Sequence, residues 1–186
     1  MLDRLHIATD LSRSQLAAQT GLNRSTIRDL IAELTRLGLV AEDRGTTTSG
    51  PGRPSSIAHI QPSGAVVLAV ELEVDFMAVA TVGLGGRIFD KVKVAHAGGP
   101  ETPLDTVEHL AALATPLLDS LPQRHTFAGV GVAVAGVVRR QDGFVHVAPN
   151  LGWNNVPLAG MIAAELGVGR VMMANEADLG ALAEHR

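Results

Sequence analysis

Apolar residues along this 186-residue chain follow three regimes of spacing. From Leu11 to Val40 they recur every three or four positions, the period of an amphipathic helix. From Ala41 to Ser63 the chain turns polar and rich in Gly, Thr, Ser and Pro (GTTTSGPGRPSS), the composition of a turn, ribbon or linker. From Gly64 onward, Val-rich runs alternate with helical stretches, which predicts an α/β domain. The division predicts two domains, residues 1–62 and 63–186.

In the second part, strands are predicted near Val66–Glu71, Met77–Val82, Arg87–Val94 and Gly129–Val134, with Gly83-Leu84-Gly85-Gly86 turning the second into the third. A helix from about Pro103 to Leu118 would place Leu104, Val107, Leu110, Ala111, Ala114 and Leu118 on one face. Phe144–Val147 reads as a short strand, followed by the polar segment Ala148–Trp153. A helix from Pro157 to Leu166, a strand at Arg170–Met173 and a helix from about Asn175 complete the reading.

The first part carries finer signals. Ser12-Arg13-Ser14-Gln15 fits a capping box, in which Gln15 reaches back to the Ser12 backbone. The helix it opens ends at Thr20-Gly21, glycine supplying a left-handed turn. Asn23 then caps a second helix from Arg24 to Leu37, which Gly38 terminates. Ala17 is small where two helices approach, and Leu16, Leu22, Ile27, Leu30 and Ile31 are expected to form the buried seam between them. That spacing is a helix-turn-helix, whose second helix enters the major groove of double-stranded DNA. Its first turn would present Arg24, Ser25, Thr26 and Arg28 to bases and phosphates. A helical hairpin with merely solvated arginines is the competing reading. Leu39-Val40, the Gly/Thr-rich stretch and Ile57–Ile60 look like a β-wing. Within it, Gly50-Pro51-Gly52-Arg53-Pro54 would carry Arg53 to a narrow A·T-rich minor groove, or would be a plain linker.

Composition changes this picture in three ways. The net charge of −4 and pI near 5.9 argue against nucleic acid only until the chain is split: residues 1–62 hold 7 Arg and 6 acids, net +1, whereas residues 63–186 hold 8 basic and 13 acidic residues, net −5. Arg13, Arg24 and Arg28 lie between Asp10 and Asp29 with no acid among them, so Arg13 joins the candidate DNA contacts. The absence of cysteine excludes a disulfide scaffold and a cysteine zinc site, and no metal site or cofactor is expected. The uncharged stretch His125–Val138 has 14 residues against the ~18 a spanning helix needs, and charges break up the start, so a cytoplasmic protein without membrane contact is expected.

Three clusters in the α/β part carry candidate chemistry. Gly129-Val130-Gly131-Val132-Ala133-Val134-Ala135-Gly136 matches neither common glycine-rich nucleotide loop and has no Lys for a phosphate, so it reads as a buried strand with Gly136 at its exit. Ala148-Pro149-Asn150-Leu151-Gly152-Trp153-Asn154 is a polar loop carrying the single Trp. Met173-Ala174-Asn175-Glu176-Ala177-Asp178-Leu179-Gly180 delivers a carboxamide and a carboxylate to a helix start, as ligand groups or simply as a cap with first-turn acids.

In their order and spacing, these clusters and the helix-turn-helix before them resemble the ROK family of sugar-responsive repressors and sugar kinases, across essentially all 186 residues. The resemblance implies a winged helix-turn-helix followed by the first lobe of an actin/hexokinase-like domain, left incomplete. It also implies a DNA-binding transcriptional regulator, a repressor of carbohydrate-related genes with a sugar or sugar-phosphate effector and a homodimeric state. Gly136, Asn150, Asn175 and Glu176 are the positions it assigns to sugar. Family kinases carry Asp-x-Gly-Gly-Thr where this chain has Glu71-Leu72-Glu73-Val74-Asp75, and a catalytic Asp where it has Glu176. Carboxylates where phosphate must approach argue against the alternative, a sugar kinase with a helix-turn-helix head, and no enzymatic activity or catalytic residue is expected. The family's cysteine-rich zinc motif and second lobe would lie beyond Arg186, leaving apolar surface of the first lobe uncovered. A third reading, a module that binds protein rather than DNA, would lack steep salt dependence.

Overall fold

The computed structural model describes residues 1–44, 56–96, 101–122 and 126–184, which cluster into two units. The first is Met1–Ala65 with the turn Gly83–Arg87. Its elements are α1 (Leu2–Ala8), β1 (Asp10–Ser12), α2 (Arg13–Thr20), α3 (Arg24–Arg36), β2 (Val40–Arg44) and β3 (Ser56–Ile60). The capping box forms in full: the Ser12 hydroxyl accepts from the Gln15 N–H at 3.2 Å, and Gln15 Oε1 accepts from the Ser12 N–H at 2.8 Å. Gly21 ends α2 at φ 70°, a conformation costly to any residue with a Cβ. Asn23 Oδ1 caps α3 through the Thr26 N–H at 2.9 Å.

These helices close on a small antiparallel sheet of order β1-β3-β2. The core they share is Leu5, Leu11, Leu16, Ile27, Ile31, Val40, Ala58 and Ile60. Two elements of this unit were not expected, α1 and β1, because a seven-residue helix and three strand residues carry too few apolar positions to show a period. They correct the expected seam. Leu16, Ile27 and Ile31 are buried, but Leu30 is half-buried and Leu22 is 38% exposed in the interhelical turn. Leu5 and the sheet supply the apolar surface that Leu22 was expected to give. The turn Gly83–Arg87 belongs here as well: the Gly85 N–H donates to His6 Nδ1 at 3.0 Å, and Leu84 packs against the same core.

The second unit holds β4 (Ala65–Leu72), β5 (Phe76–Gly83), β6 (Ile88–Ala95), α4 (Pro103–Asp119), β7 (Thr126–Val134), β8 (Val137–Arg139), β9 (Phe144–Ala148), β10 (Trp153–Val156), α5 (Leu158–Leu166), β11 (Val171–Asn175) and α6 (Glu176–Glu184). Five strands form one sheet in the order β11-β7-β4-β5-β6, with β11 parallel to β7 and β6 antiparallel to β5. Strands β10-β9-β8 form a second, antiparallel sheet. Alternation along the central strands sorts their faces. Val66, Leu68, Val70 and Leu72 of β4 and Val130, Val132 and Val134 of β7 point to one side, and all but Val66 join a core with Leu110 of α4 and Leu158 and Ile162 of α5.

Two details differ from the sequence reading. Strand β8 occupies a stretch to which no element was assigned and β10 begins within the segment expected to be a polar loop, since three or four residues are too few to display alternation. In α4 the buried side is Thr106, Val107, Leu110, Ala114 and Leu117, while Leu104 is 57% exposed. Leu104 sits directly after Pro103 in the first turn, where the helix has barely begun to meet the sheet.

Candidate nucleic-acid interface and polar cluster

The start of α3 presents two exposed arginines, Arg24 and Arg28. Asn23 holds the helix end through two groups, accepting from the Thr26 N–H and from the Ser25 hydroxyl at 2.6 Å. Its side chain thus answers one of the orphan N–H groups of the first turn and fixes Ser25. Arg24 is exposed and makes no hydrogen bond or ion pair among the described residues. Arg28 is exposed and, among the described residues, pairs only with its neighbour Asp29, at 2.9 Å. Such an exposed pair is worth little. Thr26 is half-buried, so its share in any contact is smaller than that of Ser25.

Arg13 lies differently. Its Nε and Nη2 both donate to Glu42 of β2, at 2.5 Å each, and the shared bonds raise the guanidinium pKa further above its ordinary value. Glu42 carried no signal in the sequence. The register of β2 on β3, which sets Glu42 opposite Ala58, is what brings it to Arg13. Arg53 falls outside the described residues.

In the second unit, Gly136, Asn175 and Glu176 come together where β7 exits and β11 meets α6. Asn175 Nδ2 donates to the Gly136 carbonyl at 2.9 Å, and its Oδ1 accepts from the Ala177 N–H at 2.8 Å. The side chain therefore ties two strand ends together while opening α6; it is the last residue of β11. Only glycine fits at 136, because a Cβ would stand 2.7 Å from the Val147 carbonyl oxygen and 2.9 Å from Ala148 Cβ. Asn150 lies in the turn Pro149–Leu151, exposed, and makes no hydrogen bond to this cluster. Trp153 is buried and its Nε1 donates to the Glu101 carbonyl at 2.9 Å, a structural role.

The cluster is electrically negative. Partial burial pushes the Glu73 carboxyl pKa up, and the charges of Glu176, Glu71 and Asp75 push it further, against a smaller opposing pull from Lys93. Glu176 Oε2 is buried and has no hydrogen-bond partner among the described residues. Glu73 was noticed in the sequence only as one of three carboxylates in a loop; folding sets it in the field of Glu176, a hundred residues away.

Comparison with known proteins follows the same division. The model described as ROK family matches residues 67–186, and that of the IclR helix-turn-helix domain matches residues 6–44. The chain is 28% identical over 176 residues to the xylose repressor of Caldicellulosiruptor bescii, covering 94% of this chain and 43% of that protein. Among solved structures, a ROK family transcriptional regulator, homologous to the MLC protein of E. coli, superposes with a TM-score of 0.68 at 23% identity, over 94% of this chain and 43% of the other. The ROK family glucokinase from Streptomyces griseus, in complex with glucose and AMPPNP, superposes with a TM-score of 0.52 at 26% identity, over 65% of this chain and 36% of the other. The chain spans less than half the length of these relatives.

Proposed function

The chain belongs to the ROK family, and on that premise we propose that it is a sequence-specific DNA-binding regulator, a repressor of carbohydrate-related genes whose affinity for its operator answers to a sugar. The observation that carries the reading is the capped, solvent-facing start of α3, with Arg24 unpaired among the described residues and Arg28 weakly paired. Helix α3 would lie in the major groove, with Arg24 and Ser25 reaching base edges or phosphates and Arg28 a phosphate. Arg53 would extend the contact from the wing into an adjacent minor groove. The relatives named as repressors support regulation as the role. The protein would act in the cytoplasm, with its DNA, and as a dimer on paired half-sites.

The effector reading rests on the polar cluster. Asn175 and Glu176, with the Gly136 backbone and Asn150 nearby in sequence to β9, offer the amide and carboxylate groups that bind sugar hydroxyls, each of which both donates and accepts. A pentose or hexose would favour one conformational state and so change DNA affinity through differential binding. Phosphoryl transfer is no part of the reading. Glu71, Glu73 and Asp75 would repel a triphosphate, and the raised Glu73 pKa reflects how poorly this region tolerates further negative charge.

Selection of duplexes from a random library by the full chain tests the first half. A selected duplex should bind with an affinity that falls steeply as salt rises; no enrichment, or salt-independent binding, rejects it. Titration of that complex with xylose and with glucose tests the second half. Unchanged DNA affinity at saturating sugar rejects the effector reading for this chain.

A further inference from the structure

The first unit contains a charge pair that the DNA reading does not absorb. Glu42 lies on the core side of its sheet: it stands opposite Ala58, which stands opposite Leu11, and both of those are buried. Val40, two residues earlier on the same face, is buried as well. A carboxylate placed on such a face is costly unless a cation meets it with good geometry. Arg13 does so with two parallel N–H bonds, its side chain 38% exposed and that of Glu42 22% exposed. Arg13 is the first residue of α2, directly after the Ser12 cap, so its backbone is fixed as firmly as its guanidinium.

Resting on the DNA reading above, we infer that Arg13 is a positioning residue and not a DNA contact: by gripping Glu42 it fixes β2, the first strand of the wing, to the start of α2. The direction of the wing strand is thereby set relative to the two helices of the helix-turn-helix. An arginine at the start of the first helix would otherwise be read as a phosphate contact, since that helix crosses the DNA backbone. Its Nε/Nη2 edge is committed to Glu42, and that grip holds the plane of the guanidinium, although three of its five N–H donors, two on Nη1 and one on Nη2, are not used by Glu42.

The two roles predict opposite signs for one substitution. Glu42→Gln removes a negative charge near DNA. If Arg13 contacts phosphate, freeing it must tighten binding. If the pair orients the wing, the same change must weaken it.

The test uses the full chain and a duplex selected by the wild-type protein, with binding measured well below the lowest melting midpoint of the set. Glu42→Gln and Arg13→Gln should each weaken binding by roughly three- to ten-fold, the coupling expected of residues in direct contact, and the charge swap Arg13→Glu with Glu42→Arg should restore most of it. Arg13→Lys keeps the charge but not the two-pronged bond, and should weaken binding too; it replaces Arg13→Gln if that variant does not fold. Tighter binding by Glu42→Gln, or loss of binding in the swap, overturns the inference in favour of a phosphate contact. Wild-type affinity in every folded variant, with only the melting midpoint lowered, overturns it in favour of a purely structural pair. Failure of the wild-type chain to select any duplex is a separate result, which overturns the DNA reading itself and this role with it.

Discussion

The two units of the chain treat their apolar surface differently. The helix-turn-helix unit wraps three helices and a small sheet around one core, and Leu5, Leu16, Ile27 and Ile31 are essentially inaccessible. The five-stranded sheet packs α4 and α5 against one face, while its other face carries Ala69, Ala78, Ala80, Gly131 and Ala133 around a cavity of about 500 Å³. Met172, which lines that cavity, is 57% exposed, and Leu179 and Leu182 of α6 are exposed too. The strand residues at the cavity floor are small, while Glu71, Lys91 and Arg140 bring charge to its lining and Ile88, Met172 and Leu179 bring larger apolar side chains. Apolar content alone does not report how a fold is covered: the two faces of β4 are both largely apolar in sequence, and only one is packed.

Equal truncations in the two regions should give the largest contrast. Leu16→Ala in the first core is expected to cost about 2–5 kcal/mol and to abolish DNA binding, whereas Met172→Ala on the open face should change stability by less than about 0.5 kcal/mol. Thermal or urea melts of both variants check this, and similar losses at the two sites would mean that the open face is covered in solution. Next in size, Arg24→Ala should weaken DNA binding by about 1–3 kcal/mol with an unchanged melting midpoint, measured by titration of a selected duplex. Gly136→Ala should destabilise the second unit by about 1–3 kcal/mol, since its Cβ meets strand backbone that cannot yield cheaply, and should leave the helix-turn-helix unit's DNA affinity intact.

Thr81 offers a smaller effect of the opposite sign. Its hydroxyl is fully buried without a hydrogen-bond partner among the described residues, so Thr81→Val should stabilise by about 1 kcal/mol, read from the denaturation midpoint. The smallest expected effect is a pH dependence. Glu73 holds its proton to higher pH in the folded chain than in the unfolded one, so its contribution is present below the ordinary carboxylate range and is lost as pH rises through the raised value. Glu73→Gln should therefore flatten the fall in stability across that window, by less than about 1 kcal/mol at neutral pH and with no gain in acid. An unaltered pH profile would show that the carboxylate cluster is fully screened.

Much of this molecule was legible along the chain. Ser12, Gln15, Gly21 and Asn23 act through neighbours within three residues, so their roles as caps and turn followed from local chemistry and hold in the structure. The strands with long Val-rich alternation, β4 and β7, were visible for the same reason. Leu22 and Leu104 were misplaced because helical spacing cannot say which end of a helix another element reaches. Strands β1, β8 and β10 were missed because pairing, not propensity, makes three or four residues extended.

By itself, the sequence determined the helix-turn-helix with its caps, the α/β pattern that follows, the uneven charge of the two parts and the resemblance to the ROK family. All of these are properties of spacing and composition, which the unfolded chain already has. Only the tertiary structure decided that Glu42 meets Arg13, that Asn175 bonds the Gly136 carbonyl, and that Glu73 stands in the field of Glu176. Those contacts join residues that strand register and sheet order bring within a few ångströms. Hydrogen bonds and screened charges act only at such distances, so their chemistry exists once the backbone has folded and not before.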